Sequence, residues 1–166
     1  MPKTLITENT LTTTVSTIEI TSGITSSYKV YEFLVMNGQA SASSPLNNYA
    51  DFRIGQSGTY NLRDNSILRA GYNYGFNYLF GPYITNSTGV NLLMRAVIPH
   101  PDVSGTYVNK AAFVHAVSNY DTSAYASSII LAETTVNSYP SVDRLKLTVS
   151  TGSWLAGTRY KLYGYE

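Results

Sequence analysis

The chain has 166 residues, a length typical of one domain with a sizeable hydrophobic core. Cysteine is absent, which excludes disulfides and thiolate chemistry, and charged residues make up 13%, about half of the roughly 25% typical of soluble proteins. A formal net charge of +1 argues against nucleic acid as a partner. The apolar segments fall far short of the roughly 20 residues of a membrane-spanning helix, so we expect no membrane insertion.

The first third of the chain predicts an arm followed by strands. Residues 1–13 are rich in threonine and weakly patterned, which indicates an extended N-terminal arm, with a frayed terminus as the alternative. The β pattern begins at Thr14 and places Ile18 and Ile20 on one face. Residues 28–36 are apolar on both faces, as in a central strand. Residues 50–54 then alternate between inward and outward side chains.

An aromatic ladder occupies residues 72–80, where every even position is aromatic and most odd positions are Gly or Asn. In an extended strand these rings would form one row, because successive side chains point to opposite faces. Such a row could pack in a core, meet another subunit or stack on a sugar. We favour packing or subunit contact, since the light Gly and Asn face lets another chain approach closely. The predicted subunit or ligand contact residues are Tyr72, Tyr74, Gly75, Phe76, Tyr78 and Phe80.

The second half continues the β pattern. Residues 90–98 carry alternating apolar side chains, and a strand within residues 107–118 is predicted to turn Phe113, His115 and Val117 inward. Further strands are predicted at residues 127–133, 145–149 and 160–165, which brings the total to eight or nine. The sequence therefore predicts an all-β protein: an antiparallel, jelly-roll-like β-sandwich over residues 14–166, preceded by the arm at residues 1–13.

Catalytic groups are scarce. We interpret His115 as a hydrogen-bonded core or interface residue rather than a general base, and the sequence has no nucleophile-elbow motif. The ten carboxylates, Glu8 and Glu32 among them, are mostly isolated and are predicted to lie on solvated strand faces and turns. We predict no catalytic residue, no metal site and no cofactor. A glycan-cleaving enzyme is a third hypothesis, which would need two facing carboxylates.

Three segments carry a family resemblance: residues 27–33 (SYKVYEF), residues 113–120 (FVHAVSNY) and residues 156–166 (AGTRYKLYGYE). They resemble short virion proteins of tailed bacteriophages, prominent in phages of aquatic bacteria, which carry a YxxYxF strand early and a KxYG motif at the end. The resemblance covers roughly residues 14–166 and implies a β-sandwich component of the particle, either a capsid decoration (cement) protein or a tail-fibre or tip protein. It implies no enzymatic residue.

The leading hypothesis is a non-enzymatic decoration protein that acts on the virion surface as a symmetric oligomer, most plausibly a trimer, after synthesis in the host cytoplasm. Its partners would be copies of itself and the major capsid protein or other virion proteins. Low charge and abundant Tyr agree with this, because interfaces are rich in aromatic residues and poor in Lys and Glu. The second hypothesis is a receptor-binding or carbohydrate-binding module, as in a tail fibre, that stacks tyrosines on a host-surface glycan.

Overall fold

The computed structural model describes residues 1–41, 50–55, 92–99, 110–120, 123–133, 142–149 and 151–166. All regular secondary structure in these ranges is β, so the predicted all-β class is confirmed. The part of the chain that the structure describes contains no helix with the length and apolar character needed to span a membrane. The nine strands are β1 (Lys3–Thr10), β2 (Thr17–Ile20), β3 (Val30–Gly38), β4 (Ala50–Gly55), β5 (Leu92–Pro99), β6 (Lys110–Tyr120), β7 (Ser123–Glu133), β8 (Arg144–Val149) and β9 (Arg159–Tyr165).

The strands form two sheets in which every pairing is antiparallel. The large sheet has six strands in the order β1-β9-β3-β5-β6-β7, and the small sheet has three in the order β2-β8-β4. The strands from the two ends of the chain, β1 and β9, are therefore neighbours. As a result, functional groups far apart in sequence lie side by side on the large sheet.

Strand β3 lies inside the large sheet, between β9 and β5, which confirms the predicted central strand. Its inward side chains Tyr31, Phe33 and Val35 are fully buried because both neighbouring strands and the small sheet enclose them. The alternating face predicted for β5 is also confirmed. Its buried residues are Leu92, Met94, Ala96 and Ile98.

The hydrophobic core draws on both sheets. The ring of Phe33 on β3 stacks on Phe52 of β4, with centroids 5.9 Å apart and planes inclined by 19°. Leu145 and Leu147 of β8 join the same cluster and are almost completely buried. Burial of side chains of this size contributes about 1.5–3 kcal/mol each. The inward face of the large sheet is therefore committed to the core.

Trp154, between β8 and β9, joins segments from both sheets. Its side chain is fully buried, and its Nε1 donates to the Leu147 carbonyl oxygen at 3.1 Å. Its backbone bridges to Val15 on one side and to Ala40 on the other. The entry to β2 and the exit from β3 are thereby tied to the segment that leads into β9.

Two local predictions need correction. Regular β structure begins at Lys3 rather than near Thr14, because β1 pairs with β9 along its length. Whether residues 1–13 act as a contact arm stays a prediction. The inward orientation predicted for Phe113 and His115 is wrong: Val114 and Ala116 are the buried residues of β6, while Phe113 and His115 are exposed.

Candidate functional site

The aromatic ladder lies outside the described residues. This holds for all of its predicted contact residues: Tyr72, Tyr74, Gly75, Phe76, Tyr78 and Phe80. Their role in subunit or ligand contact stays a prediction. The described part of the chain offers a different candidate, the face of the large sheet that points away from the core.

We call this surface the outer face. One register row crosses five strands, from Leu5 through Tyr163, Glu32 and Val97 to Phe113. The alternation of the strands places these side chains opposite the buried set. A second row lies beside it and consists of Lys161, Leu34, Arg95 and His115. The outer face thus mixes apolar, aromatic and charged groups.

Three large apolar side chains of the outer face are strongly exposed. Leu5 is 48% exposed, Leu93 is 55% exposed and Phe113 is 48% exposed. They lie on β1, β5 and β6, so apolar surface is present both at one edge of the sheet and in its interior. Leu5 and Phe113 stand at the two ends of the first register row, so the apolar side chains are distributed across the outer face among polar groups.

Glu32 forms the polar centre of the outer face. Its Oε2 accepts hydrogen bonds from Lys3 Nζ at 2.7 Å and from the Tyr165 hydroxyl at 2.6 Å, and its Oε1 accepts one from Arg95 Nε. These groups come from β1, β9 and β5, so one carboxylate connects four adjacent strands. The Glu32 side chain is 5% exposed, whereas those of Lys3 and Arg95 are 41% and 60% exposed.

The electrostatics of this cluster favour the ionised carboxylate. Burial alone would raise the pKa of Glu32, but the hydrogen bonds from Lys3, Tyr165 and Arg95 outweigh it and hold the pKa at about 2. The hydrogen bond to Glu32 raises the pKa of Lys3 above its usual value. Burial, together with the bond to Glu32, raises the pKa of Tyr165. At neutral pH Glu32 is therefore ionised and Lys3 is protonated, while the Tyr165 hydroxyl keeps the proton that it donates.

Lys3 also contacts two aromatic rings of β9. Its Nζ lies 3.9 Å from the ring centroid of Tyr163 and 5.5 Å from that of Tyr165. Both distances fall within the range of cation–π attraction. The ammonium thus lies against the Tyr163 ring, while the Phe113 side chain of the same face is 48% exposed.

A second ion cluster lies on the β1–β9 pair. Glu8 Oε1 accepts from Arg159 Nε at 2.8 Å and also from its Nη2, while Lys161 Nζ lies 3.2 Å from the same oxygen. The hydrogen bond from Arg159 lowers the pKa of Glu8. The two carboxylates described on the outer face, Glu8 and Glu32, are thus both ion-paired.

The side chains of the outer face can hold neighbouring strands together and can contact another molecule. Each carboxylate of the outer face is already bonded to cations of neighbouring strands, and the exposed apolar side chains lie around them. Within the described ranges, no group of three or more His, Asp or Glu side chains is placed to hold a metal ion. Exposed apolar side chains are one of the contacts that this face offers.

Sequence reasoning missed both carboxylates, since Glu8 and Glu32 were predicted to be solvated and isolated. That prediction is wrong for Glu32, which is buried and bonded to three side chains. A signal was present in the sequence: a single Glu inside a segment that is apolar on both faces requires a partner, because an unpaired buried charge is very costly. The identity of the partners depends on strand order, which the sequence pattern does not contain.

Comparisons of the chain with protein-family models, with curated proteins and with solved structures gave no match.

Proposed function

We propose that this chain is a non-enzymatic structural protein of a tailed-bacteriophage virion: a capsid decoration protein that binds the particle surface as a symmetric oligomer, with its own copies and the major capsid protein as partners. The observation that carries the proposal is the outer face, where Leu5, Leu93 and Phe113 are each about half exposed around paired charges. Because about half of each side chain is already buried, its burial against another protein contributes about 0.8–1.5 kcal/mol.

The sequence resemblance supports the same surface. Its three segments, residues 27–33, 113–120 and 156–166, include parts of β3, β6 and β9. These strands all belong to the large sheet, and each contributes side chains to the outer face. The three segments that carry the resemblance thus include strands of the sheet that we propose meets a partner.

The strand order supports the jelly-roll sandwich that we infer for the chain. Strands from the two ends of the chain pair in both sheets, β1 with β9 in the large sheet and β2 with β8 in the small sheet. The inner strands add crossed pairings, since β3 also lies next to β9 and β4 lies next to β8. Jelly rolls build both viral capsid and lectin domains, so the architecture is compatible with a particle component.

The proposal is tested by the oligomeric state of purified protein and of two variants. We expect light scattering to give a multiple of the chain mass, with a trimer as the leading expectation. The double variant Leu93→Glu with Phe113→Glu should have a lower mass at unchanged circular dichroism, because a charge buried in an interface is strongly unfavourable. Ser22→Glu, in an exposed turn outside the outer face, is the matched control and should keep the wild-type mass.

Two results would contradict the proposal. The first is a wild-type protein that stays monomeric at high concentration. The second is its absence from purified, protease-treated particles of a phage that encodes it. A double variant that keeps the wild-type mass would instead remove the outer face as the contact surface.

A receptor-binding or carbohydrate-binding module of the tail-fibre type is a second candidate, favoured by Phe113. This ring is exposed, and two residues further along the same face of β6 lies exposed His115, which is opposite exposed Arg95 of β5. A glycan array separates the two functions. Binding that is lost in Phe113→Ala while the oligomer persists would support the module, whereas an array without any hit would argue against it.

A further inference from the structure

Strand β1 is attached to the large sheet mainly by polar contacts with other strands. Its backbone pairs with β9 from Lys3, opposite Tyr165, to Thr10, opposite Arg159. Its two charged side chains reach Glu32 on β3 and the cations of β9. All of these groups lie on β9 and β3, the two strands nearest to β1 in the sheet, which would present the same groups to β1 of another copy.

The strand adds little to the hydrophobic core. Six of its eight residues are exposed, and Ile6 and Thr7 are half-buried. Ile6 packs against the core beside Gly23, where a Cβ atom would lie 2.6 Å from Ile6 Cγ2. Departure of β1 would therefore expose little apolar surface, and the remaining strands would keep their shared core.

The segment that follows β1 has the properties of a short hinge. Leu11 is fixed at one end by its N–H bond to the Thr158 carbonyl at 2.8 Å, and Val15 is fixed at the other by its N–H bond to the Trp154 carbonyl at 3.0 Å. Between them, Thr12–Thr14 are exposed and take part in none of the backbone bonds described outside the strands. Three β-branched residues in a row favour an extended backbone.

We infer that β1 is exchanged between copies of this chain, so that the β9 edge of each copy receives β1 from a neighbour. The inference rests on the proposed self-association and names the element that produces it. A fully extended hinge would place Leu11 roughly 13 Å from Val15. The β9 edge that receives β1 must therefore begin within that distance of Val15. Exchange of an identical element between copies is a low-cost route to symmetric oligomers.

Engineered cysteines test the exchange directly, because the natural chain has none. Thr10→Cys and Arg159→Cys are placed on separate chains, one of which carries a purification tag, and the two chains are co-expressed. Thr10 and Arg159 are opposite each other in the β1–β9 register. If β1 is exchanged, a disulfide should therefore link the two different chains. Thr10→Cys with Glu19→Cys, a position on β2 in the small sheet, is the matched control and should stay unlinked.

The double variant with both cysteines in one chain separates the outcomes. Covalent multimers on a non-reducing denaturing gel support exchange. Internally linked single chains within an oligomer of wild-type mass overturn the exchange and leave the proposed function intact, whereas internally linked monomers overturn both. Failure to form any disulfide here and at Leu5→Cys with Tyr163→Cys, a second opposed pair, would contradict the β1–β9 pairing and with it the exchange.

A hinge variant gives a second, independent measurement. Insertion of Gly-Ser-Gly after Thr13 lengthens the hinge and should favour closure of β1 onto its own β9 over exchange. Disulfide between chains should then fall from the majority of molecules to a minor fraction. An unchanged fraction would mean that the hinge does not control the exchange and would overturn the mechanism.

Discussion

Lys3 and Glu32 lie on strands that do not pair with each other, yet Lys3 Nζ lies 2.7 Å from Glu32 Oε2 across the intervening strand β9. The side chain of Lys3 passes over the rings of Tyr163 and Tyr165 to reach the carboxylate. This contact fixes the N-terminal strand to the centre of the sheet in addition to its backbone pairing. It also makes the stability of the sheet depend on one ionised group.

The first prediction concerns pH. The pKa of Glu32 is about 2 in the folded protein and near its ordinary value of 4.5 in an unfolded chain. A lowered folded-state pKa stabilises the protein above pH 4.5, and this contribution is lost as the pH falls from 4.5 towards 2. The difference corresponds to about 3 kcal/mol at neutral pH.

Urea unfolding of wild type and Glu32→Gln at stepwise pH checks this prediction. The variant should be less stable by about 2–3 kcal/mol at pH 7, and the gap should shrink steadily below about pH 4.5. Glu19→Gln, on an exposed position of β2, is the control and should stay within about 0.5 kcal/mol of wild type. A gap of constant size down to pH 2 would contradict the assignment.

The second prediction concerns the coupling between the two residues. In a double-mutant cycle with Lys3→Met and Glu32→Gln, we expect an interaction free energy of about 1 kcal/mol, because the carboxylate is buried while the ammonium is partly solvated. The combination of Lys3→Met with Glu19→Gln, two positions on different sheets, should show no coupling. If the free-energy costs of Lys3→Met and Glu32→Gln simply add in the double variant, Lys3 is held by its contacts with the tyrosine rings alone.

The sequence predicted those parts of the fold that depend on local alternation. The buried face of β5 and the inward Phe52 and Ile54 of β4 are confirmed, because apolar residues at every second position have one way to reach a core. The alternation in β6 was recognised, but its direction was reversed. Phe113 is large and apolar, so the pattern favoured it over Val114 for the core, whereas the register with β5 places Val114 beside buried Ala96.

The candidate site was less accessible to sequence reasoning. β1 carries few core residues, and its strand character comes from pairing with β9, more than 140 residues away in the chain. The burial of Glu32 likewise depends on the order β1-β9-β3-β5, which brings Lys3, Tyr165 and Arg95 to one carboxylate. The order of strands in a sheet cannot be predicted from the alternation of apolar and polar residues within each strand.

The third prediction concerns Gly164, which lies directly against the ring of Tyr28. A Cβ atom at this position would lie 2.4 Å from Tyr28 Cγ, too close for any side chain. Gly164→Ala should therefore displace the ring and lower the free energy of unfolding by about 1–3 kcal/mol. The ring of Tyr28 also meets Tyr31 edge-on, with centroids 5.7 Å apart, so the displacement would reach the core.

Thermal unfolding of a double-mutant set tests this close approach. Tyr28→Ala removes the ring, and Gly164→Ala should then cost clearly less than it does in the wild-type background. Gly152→Ala, at a glycine with a φ of 83°, is a useful comparison, because its cost would come from backbone strain and would not depend on Tyr28. An equal cost of Gly164→Ala in both backgrounds would show that the Tyr28 ring does not limit the position.

The fourth prediction concerns Trp154, the single tryptophan of the chain. Its side chain is fully buried and its indole N–H donates to the Leu147 carbonyl oxygen, so Trp154→Phe removes a hydrogen bond and leaves a cavity. We expect a loss of about 3 kcal/mol in the free energy of unfolding. Leu155→Ala, at the half-buried neighbouring residue, should cost less than about 1.5 kcal/mol.

Intrinsic fluorescence reports the same residue without any substitution. In the folded protein, emission should be blue-shifted and weakly quenched by acrylamide, and it should move to the red on unfolding in urea. Because Trp154 bridges Val15 and Ala40, this signal should change together with the far-ultraviolet circular dichroism. If fluorescence changes at lower urea than circular dichroism, the segments joined at Trp154 separate before the sheets unfold, and the tryptophan is not part of one cooperative core.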